Sequence, residues 1–116
     1  MNVDWERIQS FASEDDPEDM EWLLGMLQTL IDNTEERLTE LNSYIESNEI
    51  EKIRAHLHQL KGVAANFGLT NFHKVCMEAE GLIKEDKVSE ALEECAKLPG
   101  IWQATRKELE EKYFKN

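Results

Sequence analysis

Apolar side chains recur along most of this chain at alternating intervals of three and four residues, which is the spacing of an amphipathic helix. In the longest run, Pro17 fits the first helical position and Asp16 the N-cap. Ser47 and Asn48 mark its end. About thirty residues at ~1.5 Å each predict a helix roughly 45 Å long. Its inward positions are Leu23, Leu27, Leu30, Thr34, Leu38, Leu41 and Ile45.

Three further helices follow from the same spacing. A short amphipathic helix is predicted over residues 3–13. A helix from about Glu49 to Phe67 precedes Gly68, which suits a left-handed helix cap. Thr70 is expected to be the N-cap of the next helix, which ends at the polar turn 85–87. The inward positions of that helix are Phe72, Cys76, Ala79 and Ile83.

The last helical pattern runs from Val88 to Tyr113 and contains Pro99 and Gly100 near its middle. Proline removes one backbone hydrogen bond and clashes with the preceding turn. Because the apolar period continues across Pro99, we expect a kinked helix, with a break into two helices as the alternative.

No strand pattern, repeat or low-complexity segment occurs in the sequence. Four long amphipathic helices joined by short turns predict an all-α, antiparallel up-and-down four-helix bundle, with the short first helix as an N-terminal cap. A length of 116 residues predicts a single domain over residues 1–116.

The chain is acidic, with 13 basic and 25 acidic side chains and a formal net charge of −12. This balance argues against nucleic acid and anionic membrane surfaces as partners. No apolar run has the length of a signal peptide core or a membrane span, so a cytoplasmic protein is expected. In such a protein Cys76 and Cys95, both on apolar stripes, are expected to be buried reduced thiols.

The charge is unevenly distributed between the two halves of the chain. Residues 1–51 carry 2 basic and 15 acidic side chains, whereas residues 52–116 carry 11 and 10. Three of the basic residues, Lys52, Arg54 and Lys61, lie near His58. A local basic cluster suits a site that holds a doubly charged phosphoryl group.

The third helix combines three features that suit phosphoryl chemistry. His58 and Lys61 lie one turn apart beside its apolar stripe, and Gly62 leaves the adjoining backbone bare. The pattern His-x-Leu-Lys-Gly, with a second glycine six residues later, resembles the core motif of histidine-containing phosphotransfer (HPt) domains. This resemblance implies that His58 carries the phosphoryl group, as an intermediate of a two-component phosphorelay.

The resemblance also implies the partners and the cofactor. The partners would be receiver domains of response regulators or hybrid histidine kinases, and the Mg²⁺ that the chemistry needs would belong to the receiver. The chain has no nucleotide-binding loop, so no nucleotide-dependent activity of its own is expected. A monomer is expected.

The turn at Gly68 predicts which residue of the fourth helix lies opposite His58. If the third and fourth helices fold back there, Glu80 lies at the same height as His58. HPt domains place a Gln or a Glu at this offset, where it bonds the imidazole, so the resemblance assigns that role to Glu80. It also implies that Lys61 steadies the phosphate oxygens and that Gly62 lets the partner approach. Lys84 either assists or is an ordinary solvated lysine.

By position, the residues expected to contact a receiver are Gln59, Val63, Ala65, Ile8 and Phe11, although the last two fit the core equally well. A metal site is not expected: His56 and His58 point ~200° apart on one helix, and His73 and Cys76 have no evident third ligand. The alternative function is a helical adaptor or inhibitor that binds a receiver or kinase without being phosphorylated.

Overall fold

The computed structural model describes residues 1–114, which contain no strand. The chain forms six α-helices: α1 (Trp5–Gln9), α2 (Pro17–Glu46), α3 (Ile50–Phe67), α4 (Thr70–Lys84), α5 (Val88–Cys95) and α6 (Leu98–Tyr113).

The long helices form the predicted bundle. Because only short turns separate α2 from α3, α3 from α4 and α4 from α5, successive helices run in opposite directions. Helix α3 packs against α2 and most extensively against α4, while α5 and α6 together form the fourth wall. The molecule is elongated, with dimensions of 49 × 22 × 19 Å. The expected all-α fold is confirmed.

Helix α2 begins and ends as its sequence predicts. The side chain of Asp16 accepts a hydrogen bond from the backbone N–H of Glu18 at 2.9 Å, and Pro17 occupies the first helical position. Asn48, with a φ of 56°, turns the chain after the helix. The expected length of about thirty residues is therefore confirmed.

Helix α1 spans only five residues, so the predicted length of residues 3–13 was wrong. The helix ends at Gln9, and the hydroxyl of the C-cap residue Ser10 donates to the backbone carbonyl of Arg7 at 2.6 Å. Serine side chains compete in this way with continued helical bonding. The apolar residues beyond Ser10 still face the bundle, which explains why their spacing resembled a longer helix.

Residues 1–4, here called the N-terminal clasp, bind the turn between α3 and α4. The backbone N–H of Asp4 donates to the carbonyl of Gly68 at 2.7 Å, and that of Thr70 donates to the carbonyl of Asn2 at 3.1 Å. Val3, between Asn2 and Asp4, is fully buried. The clasp therefore joins the start of the chain to the far end of the α3–α4 hairpin.

Thr70 was expected to cap α4, but Leu69 occupies the N-cap position. Thr70 is the first helical residue, and its hydroxyl donates instead to the backbone carbonyl of Met1. The clasp thus replaces the expected local cap with a contact from a distant part of the chain.

The expected single kinked helix from Val88 to Tyr113 is instead two helices, α5 and α6. The prediction of a kink was therefore wrong, and the alternative, a break into two helices, is confirmed. Helix α5 ends at Cys95, and α6 begins at Leu98 with Pro99 in its first turn, where a backbone N–H is not needed. Ala96 and Lys97 between the two helices keep right-handed helical dihedral angles. The apolar period therefore continues through the break, and periodicity alone could not detect it.

The core lies along the bundle axis and contains the inward-facing residues of all six helices. Cys76 and Cys95 are free thiols within it, as expected. Burial raises the pKa of Cys76 to about 12 and that of Cys95 to about 11. No helix within residues 1–114 combines the length and apolar character needed to cross a membrane.

Candidate functional site

One side of α3 faces solvent near the middle of the bundle. Its exposed residues, here called the histidine face, are His58, Gln59, Gly62, Ala65 and Asn66. The opposite side of the helix is buried in the core through Leu57, Leu60 and Ala64. The helical period of the sequence thus fixes which residues a partner can reach.

The structure brings His58 together with Glu80 of α4. Nδ1 of His58 lies 2.8 Å from Oε2 of Glu80. The imidazole side chain is 65% exposed, whereas the carboxylate side chain is only 3% exposed. The imidazole ring is therefore largely open to solvent while its Nδ1 is bound to a buried group.

Glu80 also binds two lysines. Nζ of Lys61 donates to Oε1 at 2.5 Å, and Nζ of Lys84 lies 3.7 Å from Oε2. Burial raises the pKa of the carboxyl, but hydrogen bonds from Lys61 and His58 and the positive charges of both lysines outweigh it. The net result is that the pKa of Glu80 lies below its ordinary value. Glu80 is therefore a buried carboxylate ion, not a carboxylic acid.

An ionised carboxylate can only accept hydrogen bonds, so the proton in the bond between His58 and Glu80 lies on Nδ1. In the neutral imidazole this leaves Nε2 with a free lone pair. The contact also fixes the orientation of the ring, as second-layer carboxylates do for histidines at metal sites. The arrangement presents a nucleophilic nitrogen to solvent in a fixed direction.

Sequence comparison adds to this geometry. The family model of the Hpt domain matches residues 25–111. The chain belongs to the Hpt domain family. Over 74 residues it is also 28% identical to the phosphorelay intermediate protein YPD1 of Candida albicans, a match that covers 64% of this chain and 40% of YPD1. The chain thus spans about two fifths of the length of that relative. No solved structure matches it.

Membership of the Hpt family supports a histidine phosphotransfer role, and the match includes α3 and α4 with both His58 and Glu80. Gly62 lies beside His58 on the exposed face, and a methyl group added there would meet no atom within 4 Å. The packing of this Hpt domain does not by itself require glycine at that position. Gln59 and Ala65 are exposed, and Val63 is half-buried.

Three other residues predicted for the site lie at its edge or in the core. Gly68 ends α3 in the left-handed conformation, with a φ of 70°, and its place against the clasp is structural. Ile8 is fully buried, so it cannot contact a partner. Phe11 is half-buried and packs against Phe67, with ring centroids 5.7 Å apart.

The remaining histidines have different surroundings. Nε2 of His56 lies 3.3 Å from a carboxylate oxygen of Glu40, and its ring packs edge-on against Tyr44. His56 therefore faces α2, away from His58, as the helical period predicts. His73 lies on α4 beside Gly68 and Thr70. Within residues 1–114 no three His, Cys, Asp or Glu side chains are placed to hold a metal ion.

Sequence reasoning missed two arginines that contact the histidine face. Arg37 of α2 donates to the side-chain oxygen of Gln59. Arg7 of α1 donates to the backbone and side-chain oxygens of Asn66, at 2.7 and 3.0 Å. A signal was present in the sequence, because Arg7 and Arg37 are the two basic residues of the acidic stretch 1–51.

Proposed function

We propose that this Hpt domain is a phosphorelay intermediate that accepts a phosphoryl group on Nε2 of His58 from a receiver-domain aspartate and passes it to the aspartate of another receiver. The observation that carries the proposal is the 2.8 Å contact between Nδ1 of His58 and the buried Glu80, because in the neutral ring it leaves the free lone pair on Nε2 of an exposed side chain. The similarity to the phosphorelay intermediate of Candida albicans supports the same pathway class.

In the accepting step, the lone pair of Nε2 attacks the phosphorus of the receiver's aspartyl phosphate. The N–P bond forms as the bond between phosphorus and the aspartate oxygen breaks, and the aspartate leaves as a carboxylate. The phosphorylated ring carries its proton on Nδ1, where Glu80 remains the acceptor. The reverse step, with a second aspartate as nucleophile, returns the ring to its starting state without a net change in protons.

Lys61 is placed to respond to the new charge. In the resting protein its ammonium group is bound to Glu80, and its side chain is 27% exposed. A phosphoryl group on Nε2 brings a second anion to the same side of α3, and Lys61 can share its hydrogen bonds between the carboxylate and the phosphate oxygens. Lys84, at 3.7 Å from Glu80 and more exposed, can contribute its charge in the same way. Such charge stabilisation accounts for most of the catalysis in phosphoryl transfer.

Gly62 and its neighbours are proposed to contact the receiver. The absence of a side chain at Gly62 lets the partner's backbone approach the helix within one turn of His58. Gln59 and Ala65 flank it on the histidine face, and Val63 adds an apolar contact at the side. The Mg²⁺ that the transfer uses would be held by carboxylates of the receiver.

The test uses receivers of the same organism, each purified and phosphorylated with acetyl phosphate. Incubation with a phosphorylated receiver should transfer label to this protein as an acid-labile, base-stable phosphate. The variant His58→Gln should remain unlabelled, while His56→Gln and His73→Gln should be labelled normally. Undiminished labelling of His58→Gln would refute the assignment.

The same assay addresses the adaptor alternative. A protein that binds receivers tightly but acquires no phosphate from any of them would be an adaptor or inhibitor and not a relay.

A further inference from the structure

The four arginines within residues 1–114 fall into two pairs that differ in their contacts. Arg54 and Arg106 form ion pairs with Glu51 and with Glu35 and Glu110, respectively. Arg7 and Arg37 have no carboxylate of the described chain within 4 Å of their guanidinium groups. Their hydrogen-bond partners are the neutral oxygens of Asn66 and Gln59, and the guanidinium of Arg7 also lies over the ring of Phe11, 4.9 Å from its centroid.

The two unneutralised arginines mark the ends of one stripe on the histidine face. Gln59, Gly62 and Asn66 follow one another at intervals of three and four residues, so they line the same side of α3. Seven residues separate the first from the last, which is ~10.5 Å along the helix axis. Arg37 reaches this stripe from α2 and Arg7 from α1. The bare backbone of Gly62 lies between them.

The surrounding sequence makes this arrangement unusual for the chain. Residues 1–51 have a net charge of −13 and could provide many carboxylates, yet both of their arginines extend to α3. Glu40, one turn after Arg37, contacts His56 instead. Arg7 is exposed and Arg37 is half-buried, so two positive charges without a carboxylate partner flank the histidine face of a protein whose net charge is −12.

We infer that Arg7 and Arg37 form a charged frame that recognises carboxylates on both sides of the partner's phosphorylated aspartate. This inference rests on the proposed function. A receiver that holds Mg²⁺ beside its aspartate must surround the site with carboxylates, since oxygen ligands of this kind bind Mg²⁺. Arginine forms two-point hydrogen bonds with carboxylates, and these charge-assisted bonds are stronger than its bonds to neutral amide oxygens.

A frame of this kind acts mainly on the encounter between the two proteins. Complementary charges raise the rate of association and fix the orientation of docking more than they change the bound chemistry. Both arginines lie to the side of the imidazole and do not contact it. Their removal should therefore lower the second-order rate constant of phosphoryl transfer and leave the first-order step within the complex unchanged.

The experiment measures single-turnover transfer from receivers of the same organism, phosphorylated with acetyl phosphate, as a function of receiver concentration. The variants are Arg7→Gln, Arg37→Gln and the double substitution. We expect the second-order constant of the double variant to fall about tenfold in dilute salt and the difference to shrink in about 0.5 M NaCl. Arg106→Gln, which removes an arginine on α6 that is already paired with Glu35 and Glu110, is the matched control for the loss of one positive charge and should change the second-order constant little.

The lysine variants Arg7→Lys and Arg37→Lys separate charge from structural support. Because they keep the charge, they should retain most of the rate. If they are as slow as the glutamine variants, or if Arg106→Gln has an equal effect, the proposed role of Arg7 and Arg37 is refuted. A fall in the first-order step would also refute it. A wild-type protein that accepts phosphate from no receiver would instead overturn the proposed function, and the inference with it.

Discussion

Nζ of Lys61 lies 2.5 Å from Oε1 of Glu80, and Nδ1 of His58 lies 2.8 Å from Oε2 of the same carboxylate. One buried side chain thus orients both the imidazole of His58 and the ammonium group of Lys61, which in the proposed mechanism stabilises the incoming phosphate. Oε2 of Glu80 contacts the imidazole, and Oε1 accepts the hydrogen bond from Lys61. This shared anchor makes Glu80 the residue whose replacement tells most about the site.

Replacement of Glu80 should separate the loss of a hydrogen bond acceptor from the loss of a charge. Glu80→Gln keeps an oxygen for Nδ1–H of His58 and should retain measurable transfer. Glu80→Ala removes the acceptor and releases Lys61, so transfer should slow by roughly ten- to a hundredfold, as when other groups that orient a reacting imidazole are lost. Single-turnover transfer rates of the wild type, Glu80→Gln and Glu80→Ala test this difference. Equal rates for alanine and glutamine variants would show that the contact does not matter for transfer.

The stability contributed by Glu80 should depend on pH in the acid range. The pKa of this carboxyl is lower in the folded protein than its ordinary value of 4.5. Its contribution is therefore complete above pH 4.5 and is lost as the pH falls through the lowered pKa. The difference in Tm between wild type and Glu80→Gln should shrink steadily below pH 4.5. A difference that grows on acidification would contradict the assigned direction.

Gly62→Ala should make the protein more stable and less active toward receivers. Alanine stabilises a helix interior by about 0.5–1 kcal/mol relative to glycine, and the added methyl group meets no atom of this protein. The same methyl group would obstruct a receiver that packs on the bare backbone. Thermal unfolding should show a higher Tm, while transfer from a phosphorylated receiver slows. Gly100→Ala, also without neighbours within 4 Å, is the control and should leave transfer unchanged.

Gly68→Ala should have the opposite effect on stability. Its φ of 70° disfavours any other L-residue, and an added Cβ would lie 3.0 Å from the Cβ atoms of Asp4 and Arg7. We expect a loss of about 1–3 kcal/mol in the free energy of unfolding, the range typical of strain at such positions. Urea unfolding of the variant measures it. An unchanged urea midpoint would mean that the clasp can move to accommodate the added methyl group without a loss of stability.

The two cysteines should be unreactive in the folded protein. Only the thiolate is nucleophilic, and burial raises the pKa values to about 12 for Cys76 and about 11 for Cys95. Iodoacetamide at neutral pH should label them only after denaturation. Because a raised pKa favours the protonated folded state, their contribution to stability is complete below their ordinary value of 9.0 and is lost at higher pH. The double variant Cys76→Ala and Cys95→Ala should lose less stability than wild type between pH 9 and pH 11.

The sequence predicts the parts of the fold that depend on apolar spacing and local caps. Asp16 and Pro17 define the start of α2, and Gly68 defines the end of α3, because each satisfies a backbone requirement at a known position. Counting outward from the turn at Gly68 placed Glu80 opposite His58, and the two residues are in contact. Spacing does not determine whether the two side chains point toward each other; the resemblance to HPt domains implied that they do.

Three features could not be predicted from apolar spacing: the break between α5 and α6, the contacts of the clasp and the contact between Lys61 and Glu80. The break at Ala96 and Lys97 preserves helical dihedral angles, so the apolar pattern gives no sign of it. The displacement of Thr70 from the N-cap results from the clasp, whose partners lie more than sixty residues apart in the chain. The contact between Lys61 and Glu80 depends on side-chain rotamers, which periodicity does not fix.

The N-terminal clasp has a consequence for the order in which the chain folds. Helices α2, α3 and α4 meet neighbours that are close in sequence, and such local contacts form early and rapidly. The clasp, in contrast, binds a turn that exists only once α3 and α4 have paired, and it must close a long loop to do so. Substitution of Val3 should therefore accelerate unfolding and leave the refolding rate almost unchanged, because the first residues of the chain are the last to take their place.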